Sequence, residues 1–360
     1  MALAVIRELG QEFPGREIIS VSLAGRRALG HKSRYTTGSI TVDEENYAAK
    51  LLELAAGPGS NILVPAGMHS LNIAARHHRE FSAVFSGLWP QKAALDKAAD
   101  KPIVAATAKA LGLLTPREYP LEAPVFPCVL KYRNGEALGL PAHKRYAIAT
   151  NLEEYERGLQ VMNKQVSHMP AERSTEIFAT QYIAGDAYGV SAVLDTNSEP
   201  LAVFAHKRIR EYPLSGGPAT CAESIWHLPL IQAGVSLLKE LGLVGLAMAE
   251  FKGSLNAPYI LEVNPRIWGT YPLARLAGAG MMRAYVEGDA YEIPKACPYV
   301  CGLRMQFLAN DLQHFAKSAA GGRFPMGVLR DMLSPKVRGG VFDKSDLAGS
   351  FGYLRNLVKL

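Results

Sequence analysis

Two short segments either side of residue 256 constrain this chain more than anything else in it. Met248-Ala-Glu-Phe251 and Tyr259-Ile-Leu-Glu-Val-Asn-Pro-Arg266 read as strands, joined by a loop that holds Gly253, Ser254, Asn256 and Pro258. Side chains alternate faces along a strand, so Glu262 and Asn264 share one face and Leu261 and Val263 the other. A hairpin folded about Asn256 sets Glu250 opposite Glu262, with their Cβ atoms about 5 Å apart. Facing carboxylates repel, and one takes up a proton unless a cation lies between them. Two carboxylates and an amide form an all-oxygen set that suits Mg2+ or Mn2+. Mg2+ held by one or two carboxylates completes its shell with water and substrate phosphates, so the pair predicts a nucleotide polyphosphate.

Composition excludes several other classes. A chain of 360 residues predicts two or three domains with ample core. Apolar content of 48% and charged content of 20% are ordinary for a globular protein. No run approaches the ~20 apolar residues of a membrane span. Arg7 and Glu8 end the opening apolar run too early for a secretory signal, so a cytoplasmic protein is expected. The four cysteines, Cys128, Cys221, Cys297 and Cys301, are too few for a disulfide framework. Cys297-x-x-x-Cys301 has no second pair to complete a tetrahedral zinc site. The net charge is +6, but there is no extended basic run and no basic–aromatic interleaving, which argues against nucleic acid. The excess cations fit pockets for phosphate and an acidic substrate instead.

Residues 1–100 alternate strand and helix signals. Strands are expected at Glu17–Leu23, Asn61–Pro65 and Ser82–Ser86, and helices at Leu3–Leu9, Glu44–Ala56 and Ser70–Phe81. Such alternation gives a parallel sheet covered by helices. Further on, a helix over Ile103–Leu111 precedes a strand ending at Leu130-Lys131. A helix over Leu152–Met162 follows, capped by Asn151. Strands are expected at Glu176–Ile183, Tyr188–Leu194 and Pro200–Arg208, with helices at Ile231–Leu241 and Ser350–Leu360.

With Glu250 upstream, Glu262-Val-Asn-Pro-Arg266 resembles the metal-binding end of the ATP-grasp superfamily, the carboxylate–amine ligases and their relatives. Asp100-Lys101 and the helix after it resemble the entry to that core. The resemblance implies an α/β fold with an α+β core: an N-terminal parallel α/β domain (1–100), then a two-lobed core with antiparallel sheets (101–180 and 181–285, the second with the metal site) and a C-terminal extension (286–360). Domains that precede such cores usually open with a strand and a Gly-rich turn. Here Leu3–Leu9 reads as a helix instead, so that domain is expected to lack its first strand.

The resemblance also assigns residues. Lys131, at the end of its strand, and Lys101 would reach the α- or β-phosphate, a role that suits the compact lysine charge. Asn134–Gly139 resembles the loop that folds over the phosphates, with Gly135 and Gly139 allowing close backbone approach. Thr180-Gln-Tyr-Ile183 resembles the hinge whose backbone holds the adenine edge, which gives Gln181, Tyr182 and Ile183. Many relatives carry Glu where Gln181 stands. Asp186 is the nearest acid for the ribose hydroxyls, although a turn-forming Asp beside Gly185 accounts for it equally well. Lys207 or Arg208 would stabilise the transferring phosphoryl group, and Ser215-Gly216-Gly217 would offer amides to a carboxylate. Arg266 fits a bidentate clamp on the acyl phosphate or substrate carboxylate. Trp268 walls the pocket or belongs to the core. His77, His78 and His143 lack ligand spacing and read as surface or packing residues.

The expected activity is that of an ATP- and Mg2+-dependent ligase (Mn2+ as the other candidate metal). It would join a small-molecule carboxylate to an amine through an acyl phosphate and release ADP. The alternatives are a bicarbonate-using carboxylase or carbamoyl-phosphate-forming relative, and a non-catalytic ATP sensor. A dinucleotide oxidoreductase is disfavoured, because no G-x-G-x-x-G follows a strand. A homodimer is the expectation for assembly.

Overall fold

The computed structural model describes the whole chain except residues 27, 58, 137, 168, 170–174, 215–216, 289–291 and 359–360. A helix, α1 (Ala2–Glu12), stands ahead of the first strand. In the N-terminal region β1 (Ile19–Leu23) and β2 (Gly38–Val42) pair in parallel, followed by α2 (Tyr47–Ala55). β3 (Asn61–Ile62) is followed by α3 (Met68–Arg76) and α4 (His78–Ser82), and it pairs in parallel with β4 (Phe85–Ser86). The expected parallel pairing is thus present, but in two separate two-stranded pieces. The expected strand at 61–65 is shorter because Pro65 has no N–H to extend a ladder. The expected helix at 70–81 breaks at His77 (φ −99°, ψ 30°), and Ser82 closes α4 instead of opening a strand.

Helix α5 (Lys92–Ala99) leads into α6 (Lys101–Ala110), and Asp100 caps α6 by accepting from the Ile103 amide at 3.1 Å. A four-stranded antiparallel sheet then forms from β5 (Glu118–Tyr119), β6 (Cys128–Tyr132), β7 (Tyr146–Ala149) and β8 (Ile177–Gln181), in the order β5-β8-β6-β7. Helix α7 (Leu152–Ser167) packs on it, and its cap is Asn151, whose Oδ1 accepts from the Glu154 amide at 3.0 Å.

The larger sheet begins with β9 (Asp186–Leu194), β10 (Pro200–Glu211) and β11 (Ala219–Ile225). After α8 (Leu228–Glu240) come β12 (Gly245–Ser254) and β13 (Ala257–Asn264), then α9 (Tyr271–Ala277) and α10 (Met281–Glu287). β14 (Arg304–Gln306), α11 (Leu308–Ala320), α12 (Met326–Leu333), β15 (Val337–Gly339) and α13 (Leu347–Val358) follow. The order β13-β12-β9-β10-β11-β14-β15 is antiparallel except for its last pair. β11 is not evident in the sequence, since a strand buried on both faces loses its polar–apolar alternation.

Each face of this sheet carries its own core. Val190, Val203 and Phe251 pack with Leu230 and Leu238 of α8 on one side. Phe204 and Met248 pack with Trp268, Met282 and, from α1, Ala4 and Val5 on the other. Glu8 secures α1 there by accepting from the Tyr271 hydroxyl at 2.6 Å and the Met282 amide at 2.9 Å. Among the described residues no helix is long and apolar enough to cross a membrane.

Candidate functional site

β12 and β13 pair with Met248 opposite Asn264 and Glu250 opposite Glu262, and a bulge follows at Phe251. The Asn264 Nδ2 donates to Glu250 Oε1 at 2.9 Å. Four cations from four separate segments act on these carboxylates. Arg208 of β10 reaches across β9 to Glu250, and its Nη1 lies 3.6 Å from Glu211. Lys101, at the start of α6, places Nζ 3.6 Å from Glu262 Oε2. Lys131 comes from β6 of the small sheet. Arg266 donates to Asn264 Oδ1 at 3.1 Å and pairs with Glu136.

The two glutamates respond oppositely to this surround. Burial raises the pKa of Glu250 above the usual carboxylate value, and the Glu262 charge adds to that against the pull of Arg208. Burial also acts to raise Glu262, but Lys101, Lys131, Arg208 and Arg266 outweigh it and hold its pKa below the usual value. Lys131 is lowered to about 8 by burial, with Glu262 opposing the shift and Lys101 adding to it. Burial raises Glu136, but the hydrogen bond and charge of Arg266 prevail and its pKa lies low.

These groups surround a cavity of about 610 Å³ between the two sheets. Of the residues expected in the site, Lys101, Lys131, Gln181, Tyr182, Ile183, Arg208, Glu250, Glu262, Asn264 and Arg266 line it. Gly135, Gly139, Asp186 and Lys207 are not among its lining. Lys207 follows the alternation of β10 onto the face opposite Arg208, and its Nζ bonds Asp186 Oδ2 at 2.5 Å. A Cβ at Gly135 would meet the Arg145 side chain at 3.3 Å, and Gly139 sits in a turn at φ 66°. Gln181 is tied to Arg117, donating through its amide at 2.7 Å and accepting through Oε1 at 3.4 Å. The Tyr182 amide donates to the Pro127 carbonyl at 3.3 Å. Ser215 and Gly216 lie outside the described residues, while Gly217 lines the cavity.

Other lining residues are not apparent from the sequence: Glu136 and Arg145 around the glycine loop, Thr270 before α9, and Phe307 and Asn310 at the start of α11. For Glu136 the only signal is its position inside the loop expected to cover the phosphates. Trp268 is both wall and core, fully buried and edge-on to Tyr271. His77 stacks on Phe81 and His78 packs near Trp89.

The donor set suits a divalent cation of oxygen preference. Among the described residues no group of three or more His, Cys, Asp or Glu is placed to hold a metal. Glu250, Glu262 and Asn264 present two carboxylates and an amide to the cavity, and a cation held by so few protein groups completes its shell with water and phosphate oxygens.

No protein-family model matches the chain, and no curated protein matches it in sequence. Solved structures do. Biotin carboxylase from Campylobacter jejuni, in a β,γ-ATP complex, is 18% identical with a TM-score of 0.61, over 84% of this chain and 72% of that one. The biotin carboxylase domain of Hydrogenobacter thermophilus 2-oxoglutarate carboxylase, solved with MgADP and bicarbonate, is 17% identical with a TM-score of 0.60, over 81% and 68%. L-amino acid ligase from Bacillus licheniformis is 16% identical with a TM-score of 0.54, over 79% and 70%. At such identities the likeness is one of architecture, and the chain has the fold of the ATP-grasp enzymes.

Proposed function

We propose that the protein is an ATP- and Mg2+-dependent ligase that joins a carboxylate to an amine and releases ADP and phosphate. The observation that carries this reading is the facing pair Glu250 and Glu262, ringed by Lys101, Lys131, Arg208 and Arg266 at one cavity between two lobes. Glu250, Glu262 and Asn264 would hold the divalent cation, which when bound neutralises phosphate charge. Lys101 and Lys131 take the phosphates nearer the nucleoside, and Gln181, Tyr182 and Ile183 the adenine edge. Arg208 stands where charge develops on the transferring phosphoryl group, and Arg266 holds the substrate carboxylate.

In the first step a carboxylate oxygen attacks the γ-phosphorus, the bond to the bridging oxygen breaks, and ADP leaves. In the second an amine nitrogen attacks the acyl carbon, phosphate leaves, and the ammonium proton passes to solvent or phosphate. The protein's contribution is alignment, charge compensation and exclusion of water from the acyl phosphate. The test is Mg2+-dependent nucleotide release with amino acids and small carboxylates supplied in pairs. ADP formed only with particular pairs supports the reading, and AMP with pyrophosphate overturns it.

A second reading, a carboxylase that uses bicarbonate as its carboxyl donor, is favoured by the likeness to the two biotin carboxylase structures. ADP release that depends on bicarbonate, with no amine and carboxylate pair required, would select it.

A further inference from the structure

His206 sits on the same face of β10 as Arg208 and is 1% exposed. Its Nε2 lies 3.0 Å from Thr270 Oγ1, and Thr270 lines the cavity four residues beyond Arg266. Its Nδ1 is buried with no hydrogen-bond partner. Backbone covers the ring: Gly189 pairs with His206 across the strands, and a Cβ there would come within 2.3 Å of ring Cε1 and 3.0 Å of both nitrogens. Burial, reinforced by Arg208, lowers the ring's pKa to about 3, so it is neutral at ordinary pH.

A neutral imidazole carries one proton, on one nitrogen or the other. A proton on Nδ1 would be a buried N–H without an acceptor. An unmatched lone pair is tolerated better than an orphaned donor. The proton therefore belongs on Nε2, which makes His206 the donor and Thr270 Oγ1 the acceptor. The threonine keeps its own hydroxyl proton, and among the described residues no protein acceptor is found for it.

We infer that Thr270 is a substrate-binding residue whose hydroxyl, oriented by a hydrogen bond from His206, donates to an oxygen of the substrate carboxylate. His206 is a positioning residue and touches no substrate itself. The identity of the acceptor rests on the ligase reading, whereas the direction of the His206–Thr270 bond rests on the buried Nδ1 that has no partner and is independent of that reading.

The test therefore has two parts. Nitrogen-15 spectra of histidine-labelled protein identify which ring nitrogen of His206 bears the proton, without any substrate. A protonated Nε2 is expected, and a protonated Nδ1 would overturn the inference. Kinetics with the carboxylate identified in the paired screen form the second part. Thr270→Val, which keeps the shape and removes the donor, is expected to raise KM for the carboxylate about 10- to 100-fold while KM for ATP stays within about threefold. Thr270→Ser should recover most of the loss. His206→Leu should raise the same KM, yet add little in the Thr270→Val background, because the two act as one unit. Equal losses in Thr270→Val and Thr270→Ser, or a change confined to ATP, would refute the role. Silence of the wild-type enzyme across the whole screen would count against the ligase reading, and the nitrogen spectra would then decide the bond direction alone.

Discussion

Arg266, on the loop after β13, pairs with Glu136, on the loop after β6, so that one ion pair joins the two lobes at the wall of the cavity they share. Arg145 adds a second cation to Glu136 at 3.2 Å. The residue proposed to grip the substrate carboxylate is thus held by a carboxylate of the protein itself.

Removing that hold should loosen the loop over residues 133–145. The side chains are 18% and 22% exposed, so the pair contributes about 1 kcal/mol, or roughly a fivefold shift in opening. Glu136→Gln should be cut several times faster by trypsin at Lys144 or Arg145 when no nucleotide is present, and Mg·ATP should slow cleavage of both proteins. Identical digestion rates would show that the pair does not restrain the loop.

Glu262 faces Glu250 and is the more readily ionised of the two. Glu262→Ala is expected to lower turnover by at least two orders of magnitude while circular dichroism and the melting temperature change little. Near-normal ADP release by a folded variant would refute the metal assignment.

The pKa of Lys131, about 8 against an ordinary value near 10.5, gives a signed pH effect. Its charged form is disfavoured in the folded protein. The resulting cost to stability is fully present below about 8 and fades as pH rises towards 10.5. Phosphate binding requires that charged form, so affinity for Mg·ATP should fall as pH rises through 8 while apo stability rises. Calorimetric titration from pH 7 to pH 9.5 checks this, and Lys131→Gln should bind weakly with a flat profile. An equally steep profile in the variant would assign the effect to another group.

Away from the cavity, Arg210 is 8% exposed and donates to Asp311 at 2.6 and 2.9 Å and to Asp331 at 2.7 Å. Thr220 donates to the same Asp311. Asp311→Ala strands a buried guanidinium and should cost about 3–5 kcal/mol, read as a fall in the urea midpoint. A loss below 1 kcal/mol would mean that Asp331 alone satisfies Arg210.

The acidic hairpin was legible because strand alternation and a short turn are local rules, and together they determine which carboxylates meet. Lys101 and Lys131 could be assigned through resemblance, each from its place at the end of an element. Arg208 and Lys207 could not be separated, since choosing between them requires knowing which face of β10 looks into the cavity. Glu136 and Thr270 escaped because their relevance lies in contacts with residues distant in the chain, Arg266 at a separation of 130 and His206 at a separation of 64. The docking of α1 against α9 and α10 through Glu8 escaped for the same reason: a carboxylate on an amphipathic helix reads as solvated until Tyr271 and Met282 are brought to it.

Gly189 carries no functional group, yet it lies level with Glu250 on one side and His206 on the other. A saturation scan of the chain should find it among the least permissive positions, because even one added methyl displaces the imidazole that aims Thr270. Selection at that codon would then record the chemistry of its neighbours, and a conserved glycine in a central strand becomes a marker for an active site that glycine itself never touches.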